Sequence, residues 1–177
     1  MNDIETERLV LKLVSLAGLA AIAAEDEEAC SRIIGALPRE WFEDAWVAEL
    51  RLRQWNEDQA YAPWSIRAIT LKSTGEIVGG INCHDQPRLM EHGGDTGLAV
   101  EMGYSIYDPW RRNGYATETV LGLSRFAANH EVRWVKLSIS PENQPSLRLA
   151  KKLGAKKIGS QIDDIDGPED IYLFEIE

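Results

Sequence analysis

Residues 100–119, VEMGYSIYDPWRRNGYATET, decide how this chain is read. Leu98, Val100, Met102, Tyr104 and Ile106 alternate with Glu101, Gly103, Ser105 and Tyr107. That period of two predicts a strand over 98–107, with an apolar face and a mixed face. Asp108-Pro109-Trp110 turns the chain, and Arg111-Arg112-Asn113-Gly114 leads into a helix over about 115–129. Its apolar stripe, Ala116, Val120, Leu123 and Ala127, advances in steps of four, three and four. The start of a helix presents unpaired N–H groups and the positive end of the dipole, which together suit an anion. Gly114 lets a ligand approach the backbone without a Cβ in the way, and Ala116 keeps a nearby position small. Arg111 and Arg112 add charge beside the turn. There is no GxxxxGK[ST] and no GxGxxG, so neither a Walker loop nor a dinucleotide fold is supported. Taken alone, Gly114 reads better as an ordinary turn glycine between solvated arginines.

The flanking segments extend the pattern. VRWVKLSIS (132–140) is a strand, and a parallel, right-handed unit is expected across 98–140. Ser140-Pro141-Glu142-Asn143-Gln144-Pro145-Ser146 follows it and opens a short helix that Gly154 stops. Two adjacent strand ends thus meet two helix starts, the usual place for a ligand in an open α/β sheet. Upstream, ERLVLKLV (7–14) alternates as a strand, and residues 15–59 are helical in character with a cap at Ser15 and a break at Pro38. Within them Trp46, Leu50 and Trp55 recur at near-helical spacing. Strands at 64–72 and 76–83 flank the turn Ser73-Thr74-Gly75. Residues 84–97 are expected to form a polar loop, and 155–160 and 170–176 two closing strands. The expected fold is α/β (α+β mixed), one domain over 1–177. It has a central mixed, mostly antiparallel sheet of about seven strands, about four helices, and a parallel pair at 98–107 and 132–140.

Composition narrows the function. The chain has 177 residues, 44% apolar and 27% charged, with net charge −10. This is globular composition, and the overall charge opposes an electrostatic grip on nucleic acid. Residues 107–160 nevertheless carry ten Lys/Arg against four Asp/Glu, net +6, leaving −16 for the remainder. A local anion site within a body that attracts cations is implied. The longest uncharged run in the first third, Leu13 to Ala24, has twelve residues and is too short for a bilayer. No signal peptide is read, and two cysteines, Cys30 and Cys83, make no disulfide framework. A cytoplasmic location without membrane attachment is expected.

These residues resemble the Gcn5-related N-acetyltransferases (GNAT), and within them the bacterial ribosomal-protein-alanine/serine N-acetyltransferases. Arg111-x-x-Gly114-x-Ala116 matches the family's [RQ]xxGx[GA] loop. Residues 100–118 match the subgroup's strand-turn-helix phrase, and Asn143-x-x-Ser146 with Lys152-Leu153-Gly154-Ala155 matches the second helix. ETERLVLKLV resembles the opening strand. The likeness spans about residues 5–176 and is weakest at 26–62 and 84–97, where acceptor-specific segments lie.

The resemblance implies a parallel pair splayed to admit acetyl-CoA, with no metal. The pyrophosphate would lie on the backbone of Arg112, Asn113, Gly114, Tyr115, Ala116 and Thr117 beside Arg111. The pantetheine arm would run along Met102, Gly103 and Tyr104 like an extra strand, held by Asn143. Glu101 is then the candidate base, acting directly or through water, and Ser146 the candidate acid for the leaving thiolate. Ser146 is also open to a plain reading as a helix cap. The position seven after Asn143, a tyrosine in many members, is Ala150 here. The acceptor is a primary amine, a protein or peptide N-terminus, and cationic by the charge split. A small amine such as a polyamine or aminoglycoside, or a non-catalytic acyl-CoA-binding module, stays open, as does a monomer or homodimer.

The other chemistry-bearing residues point elsewhere. His84, His92 and His130 lack metal-ligand spacing and are taken as surface or loop residues. Asp164, Asp166 and Gly167 fail the calcium-loop pattern at Ile162 and Leu173. Cys83 has no histidine placed to activate it. Trp41, Phe42, Trp46, Tyr61 and Trp64 are expected to pack, with one or two lining the acceptor pocket.

Overall fold

A computed structural model describes residues 3–165 and 167–176. Its strands are β1 (Ile4–Glu5), β2 (Leu9–Leu13), β3 (Arg67–Leu71), β4 (Ile77–Cys83), β5 (Arg88–His92), β6 (Asp95–Ile106), β7 (Val132–Ile139), β8 (Lys156–Asp163) and β9 (Gly167–Glu175). Its α-helices are α1 (Leu16–Ala23), α2 (Glu27–Ile33), α3 (Glu40–Glu43), α4 (Ala45–Glu57), α5 (Tyr115–Ala128) and α6 (Gln144–Lys152). The sheet order is β1-β2-β3-β4-β6-β7-β9-β8, with β5 paired to β6. Every pairing is antiparallel except β6 with β7. The mixed α/β class, the mostly antiparallel sheet and the parallel pair are as the sequence implies.

The alternating strands bury the residues their period selects. Leu9 and Leu11 on β2, Val100 and Met102 on β6, and Val135 and Leu137 on β7 lie in one apolar cluster. The α5 stripe joins it, with Val120, Leu123 and Ala127 buried, and this helix packs on β1, β2, β6 and β7. Ser15 caps α1, its hydroxyl accepting from Gly18 N at 3.2 Å.

Among the described residues there are nine strands and six α-helices, where about seven and about four were expected, and the architecture is the expected one. Two expectations need correction. The segment 84–97 is not a loop throughout: Arg88–His92 forms β5 and pairs with the first half of β6. Gly93 and Gly94, with φ of 63° and 89°, make the two-residue turn. This strand is mostly exposed, so it needs no alternating apolar pattern and gave the sequence reader none. Trp46 is 46% exposed, whereas Trp41, Trp55, Tyr61 and Trp64 are buried. Asp166 lies outside the described residues, as do Met1, Asn2 and Glu177.

Candidate active site

The turn after β6 has the backbone geometry that suits an anion cradle. Gly114 has φ of 80° and occupies the N-cap of α5 without a side-chain cap. The first N–H groups of α5, from Tyr115, Ala116 and Thr117, therefore receive no capping side chain and are free for a ligand. Arg112 also takes a left-handed conformation, φ 65°, which turns the backbone sharply just before the helix. Asn113 Nδ2 donates to Trp110 O at 3.0 Å and fixes the turn. Its carbonyl accepts from Arg8 Nη1 at 3.0 Å. The Arg111 side chain is committed to the protein: Nε donates to Ile106 O at 2.7 Å, and the guanidinium pairs with Asp108. Arg112 is exposed and has no ion-pair partner among the described residues.

Arg8 packs beside this turn, although the motif does not contain it. Its Nε donates to Glu118 Oε2 at 2.7 Å, and its guanidinium lies 4.7 Å from the Tyr115 ring centroid. Glu118 also accepts from Arg8 N and from Thr6 Oγ1. Burial pushes the Glu118 carboxyl up, but these hydrogen bonds and the Arg8 charge outweigh it and hold it below its ordinary value. The opening strand is thereby clamped to the first turn of α5.

Below the cradle the sheet opens. The β6–β7 pairing runs from Leu98↔Val132 to Glu101↔Lys136 and stops there, although both strands continue. Beyond it β6 pairs only with β4, from Cys83↔Met102 to Gly79↔Ile106, and β7 only with β9. On its β7 side the β6 backbone at Met102, Gly103 and Tyr104 has no strand partner among the described residues. The result is a wedge-shaped notch with the cradle at its mouth and Glu101 at its vertex. An extended amide-bearing chain fits such a notch because it can supply the missing strand hydrogen bonds.

The α6 start borders the notch. Asn143 is the cap of α6, its Oδ1 accepting from Ser146 N at 3.2 Å, which leaves its NH2 for a ligand. Ser146 is therefore capped rather than capping. Its hydroxyl lies beside that of Tyr104, whose oxygen is buried and makes no well-formed hydrogen bond. Burial raises the Tyr104 phenol, and Ser146 offsets part of the rise. This contact joins β6 to α6 across the notch.

At the vertex Glu101 is surrounded. Its Oε1 accepts from Ser138 Oγ at 2.5 Å, and Lys136 Nζ lies 2.5 Å from Oε2. His84 Nδ1 lies 3.5 Å from Oε1, and His84 N donates to Glu101 O at 2.9 Å. The His84 carbonyl accepts from Arg51 Nη1 and Gln54 Nε2, both on α4. His84 is exposed and follows β4, as the sequence implies, and its contact with Glu101 is what metal-ligand spacing did not reveal. The usable signal was pairing: the strand ending at Cys83 runs antiparallel to the strand that carries Glu101. Cys83 beside it is fully buried, and burial pushes its thiol up to about 12, which removes it as a nucleophile.

A cleft of about 370 Å³ lies between α3, α4, β4 and the end of β6. Glu40, Glu43, Asp44 and Asp108 line it, with Trp41 and Tyr107. Trp41 lines this cleft.

The acetyltransferase (GNAT) domain family model matches residues 8–156, most of the chain. No curated protein sequence matches it significantly. Similar solved structures include an acetyltransferase from Agrobacterium tumefaciens str. C58. It is 21% identical, with 98% of this chain and 94% of that chain covered and a TM-score of 0.65. Ribosomal-protein-S5-alanine acetyltransferase from Vibrio fischeri is 15% identical, with 100% and 98% covered and a TM-score of 0.65. Mycobacterium smegmatis RimJ in complex with CoA-disulfide is 15% identical, with 98% and 87% covered and a TM-score of 0.63. These likenesses share the fold, and no described helix is long and apolar enough to cross a membrane. The chain belongs to the GNAT family and is an acetyl-CoA-dependent N-acetyltransferase.

Proposed function

We propose that the acetyl group passes from acetyl-CoA to a primary amine, a protein or peptide N-terminus, by direct attack within one ternary complex in the cytoplasm. The notch carries this reading, because an anion cradle, an unpaired strand edge and a titratable cluster follow one another along it. Acetyl-CoA supplies an activated acyl group as a thioester. The backbone N–H groups from Arg112 to Thr117 bind its pyrophosphate. Met102, Gly103 and Tyr104 hold the arm as an added strand, and Asn143 donates to it from its free NH2. At the vertex the protein must take a proton, since only the neutral amine is a nucleophile. An α-amine titrates near 7.7–8.0 against about 10.4 for lysine, so an N-terminus needs less help at neutral pH. At the α6 start Ser146, beside Tyr104, donates a proton to the departing thiolate, which the helix N-terminus also favours.

The acidic cleft and the −16 charge outside residues 107–160 support a cationic acceptor. The acceptor named for the Vibrio fischeri structure, an alanine of a ribosomal protein, supports an N-terminus over a small amine. The test is a panel of peptides with free N-terminal alanine or serine, polyamines and aminoglycosides, each incubated with acetyl-CoA while free thiol is followed. Thiol release with basic peptides is expected. Thermal stabilisation by CoA without thiol release on any acceptor would favour a binding module instead.

A further inference from the structure

Glu101 is poorly placed to act alone. Both its oxygens are engaged, one by Lys136 Nζ and one by Ser138 Oγ. A proton delivered to this carboxylate would leave the Lys136 ammonium, 28% exposed, without its counter-charge. His84, also at the vertex, is a group of the type that accepts a proton near neutral pH.

We infer that His84 accepts the ammonium proton of the acceptor, with Glu101 as the carboxylate that orients its ring. This rests on the acetyl-transfer reading above. The contact of Nδ1 with Glu101 Oε1 favours the proton on Nδ1 and leaves the Nε2 lone pair open. Nε2 is directed over β6: a Cβ built on Gly103 would lie 2.8 Å from it. Glycine at 103 is what allows the ring to sit there, on the first unpaired residues of the notch. The backbone is fixed as well, because the His84 N–H is bonded to Glu101 O and its carbonyl to Arg51 and Gln54. The side chain is 47% exposed, so a proton taken from substrate can pass to solvent.

The groups facing His84 are Glu101 on β6, Arg51 on α4, Lys136 on β7 and Asp163 on β8. The ring is half exposed, yet its packed edge is shielded from water, and that desolvation is the largest influence and lowers the imidazole. Glu101 and Asp163 oppose it, while Arg51 and Lys136 reinforce it, and the result lies below the ordinary 6.5. The ring is therefore neutral at pH 7 and able to receive a proton. In the balanced step, Nε2 takes the ammonium proton and the freed nitrogen pair forms the C–N bond. The C–S bond breaks, the nitrogen gives up its second proton, and that proton reaches the thiolate through the Ser146 hydroxyl, which donates one proton and regains one. His84 then returns its proton to water.

The experiment compares wild type with His84→Gln, using acetyl-CoA and a basic peptide with a free N-terminal alanine, across pH. The wild-type acid limb of kcat/KM is expected below about 6.5. The variant should lose about 10²-fold at pH 7, with its limb moved up to the peptide amine near 7.7–8.0. The gap should narrow at higher pH, CoA affinity should be unchanged, and imidazole should restore activity to His84→Ala. Equal rates and an unshifted limb would overturn the role of His84 while leaving acetyl transfer intact. If wild type acetylates no amine, the functional reading fails, and imidazole ¹⁵N shifts still judge His84. A neutral ring protonated on Nδ1 at pH 7 supports the assignment, and an imidazolium or an Nε2–H tautomer overturns it.

Discussion

Replacing Gly114 with glutamate should separate the backbone cost of the cradle from its electrostatic purpose. Gly114 sits at φ 80°, where an L side chain costs about 1–2 kcal/mol. Its new Cβ would meet only Arg8 Nη2, at 3.5 Å, an ordinary contact, so crowding adds little. For a chain of this size that strain lowers Tm by about 2–8 °C. Affinity suffers differently. A carboxylate about 4 Å from the pyrophosphate is repelled by about 4 kcal/mol at an effective dielectric of 20. Arg8 lies close enough to offset part of this, which leaves a loss of about 10²–10³-fold in CoA affinity. Gly114→Ala carries the same strain without the charge. Calorimetric titration with CoA, beside thermal melts of all three proteins, reads both effects. An unchanged CoA Kd in Gly114→Glu would refute the cradle. Equal losses in the two variants would refute the electrostatic part.

Ser146→Ala should lower kcat by up to about 10²-fold with Tm unchanged, because Asn143 is the residue that caps α6. Asn143→Ala should instead cost about 1 kcal/mol of stability, and a normal kcat with a lowered Tm for Ser146→Ala would contradict the acid role. Glu118→Gln should destabilise by about 1–3 kcal/mol at neutral pH. Since the folded Glu118 carboxyl lies below its ordinary 4.5, that contribution is full above 4.5 and fades as acid protonates the folded form. Melts of the two proteins should therefore converge in acid, and a gap that acid leaves unchanged would contradict the clamp.

The turn proposed as the cradle was legible in the sequence because its geometry is local. Arg111 to Thr117 is one turn and one helix start, and Gly114 announces a backbone that few other residues accept. The assignment of the Arg111 side chain was not legible. Its bonds to Ile106 O and Asp108 depend on how the turn folds back onto β6. Arg8 and His84 were missed for a related reason. Each reaches the site through strand pairing or packing with a partner far along the chain, 110 residues away for Arg8 and Glu118. Neither belongs to a contiguous motif. The strand β5 escaped because an exposed strand held by backbone pairing needs no apolar period. Asn143 and Ser146 were correctly placed at the α6 start, but only the geometry shows which of them caps it.

A crystal structure with acetyl-CoA bound tests the central claim most directly. The account predicts pyrophosphate oxygens on the N–H groups between Arg112 and Thr117. It predicts the arm bonded to the free edge of β6 beyond the Glu101–Lys136 pair, and the thioester at the vertex, beside Glu101 and His84. An acetyl-CoA molecule lying outside the notch, or a thioester at its mouth and away from the vertex, would contradict it.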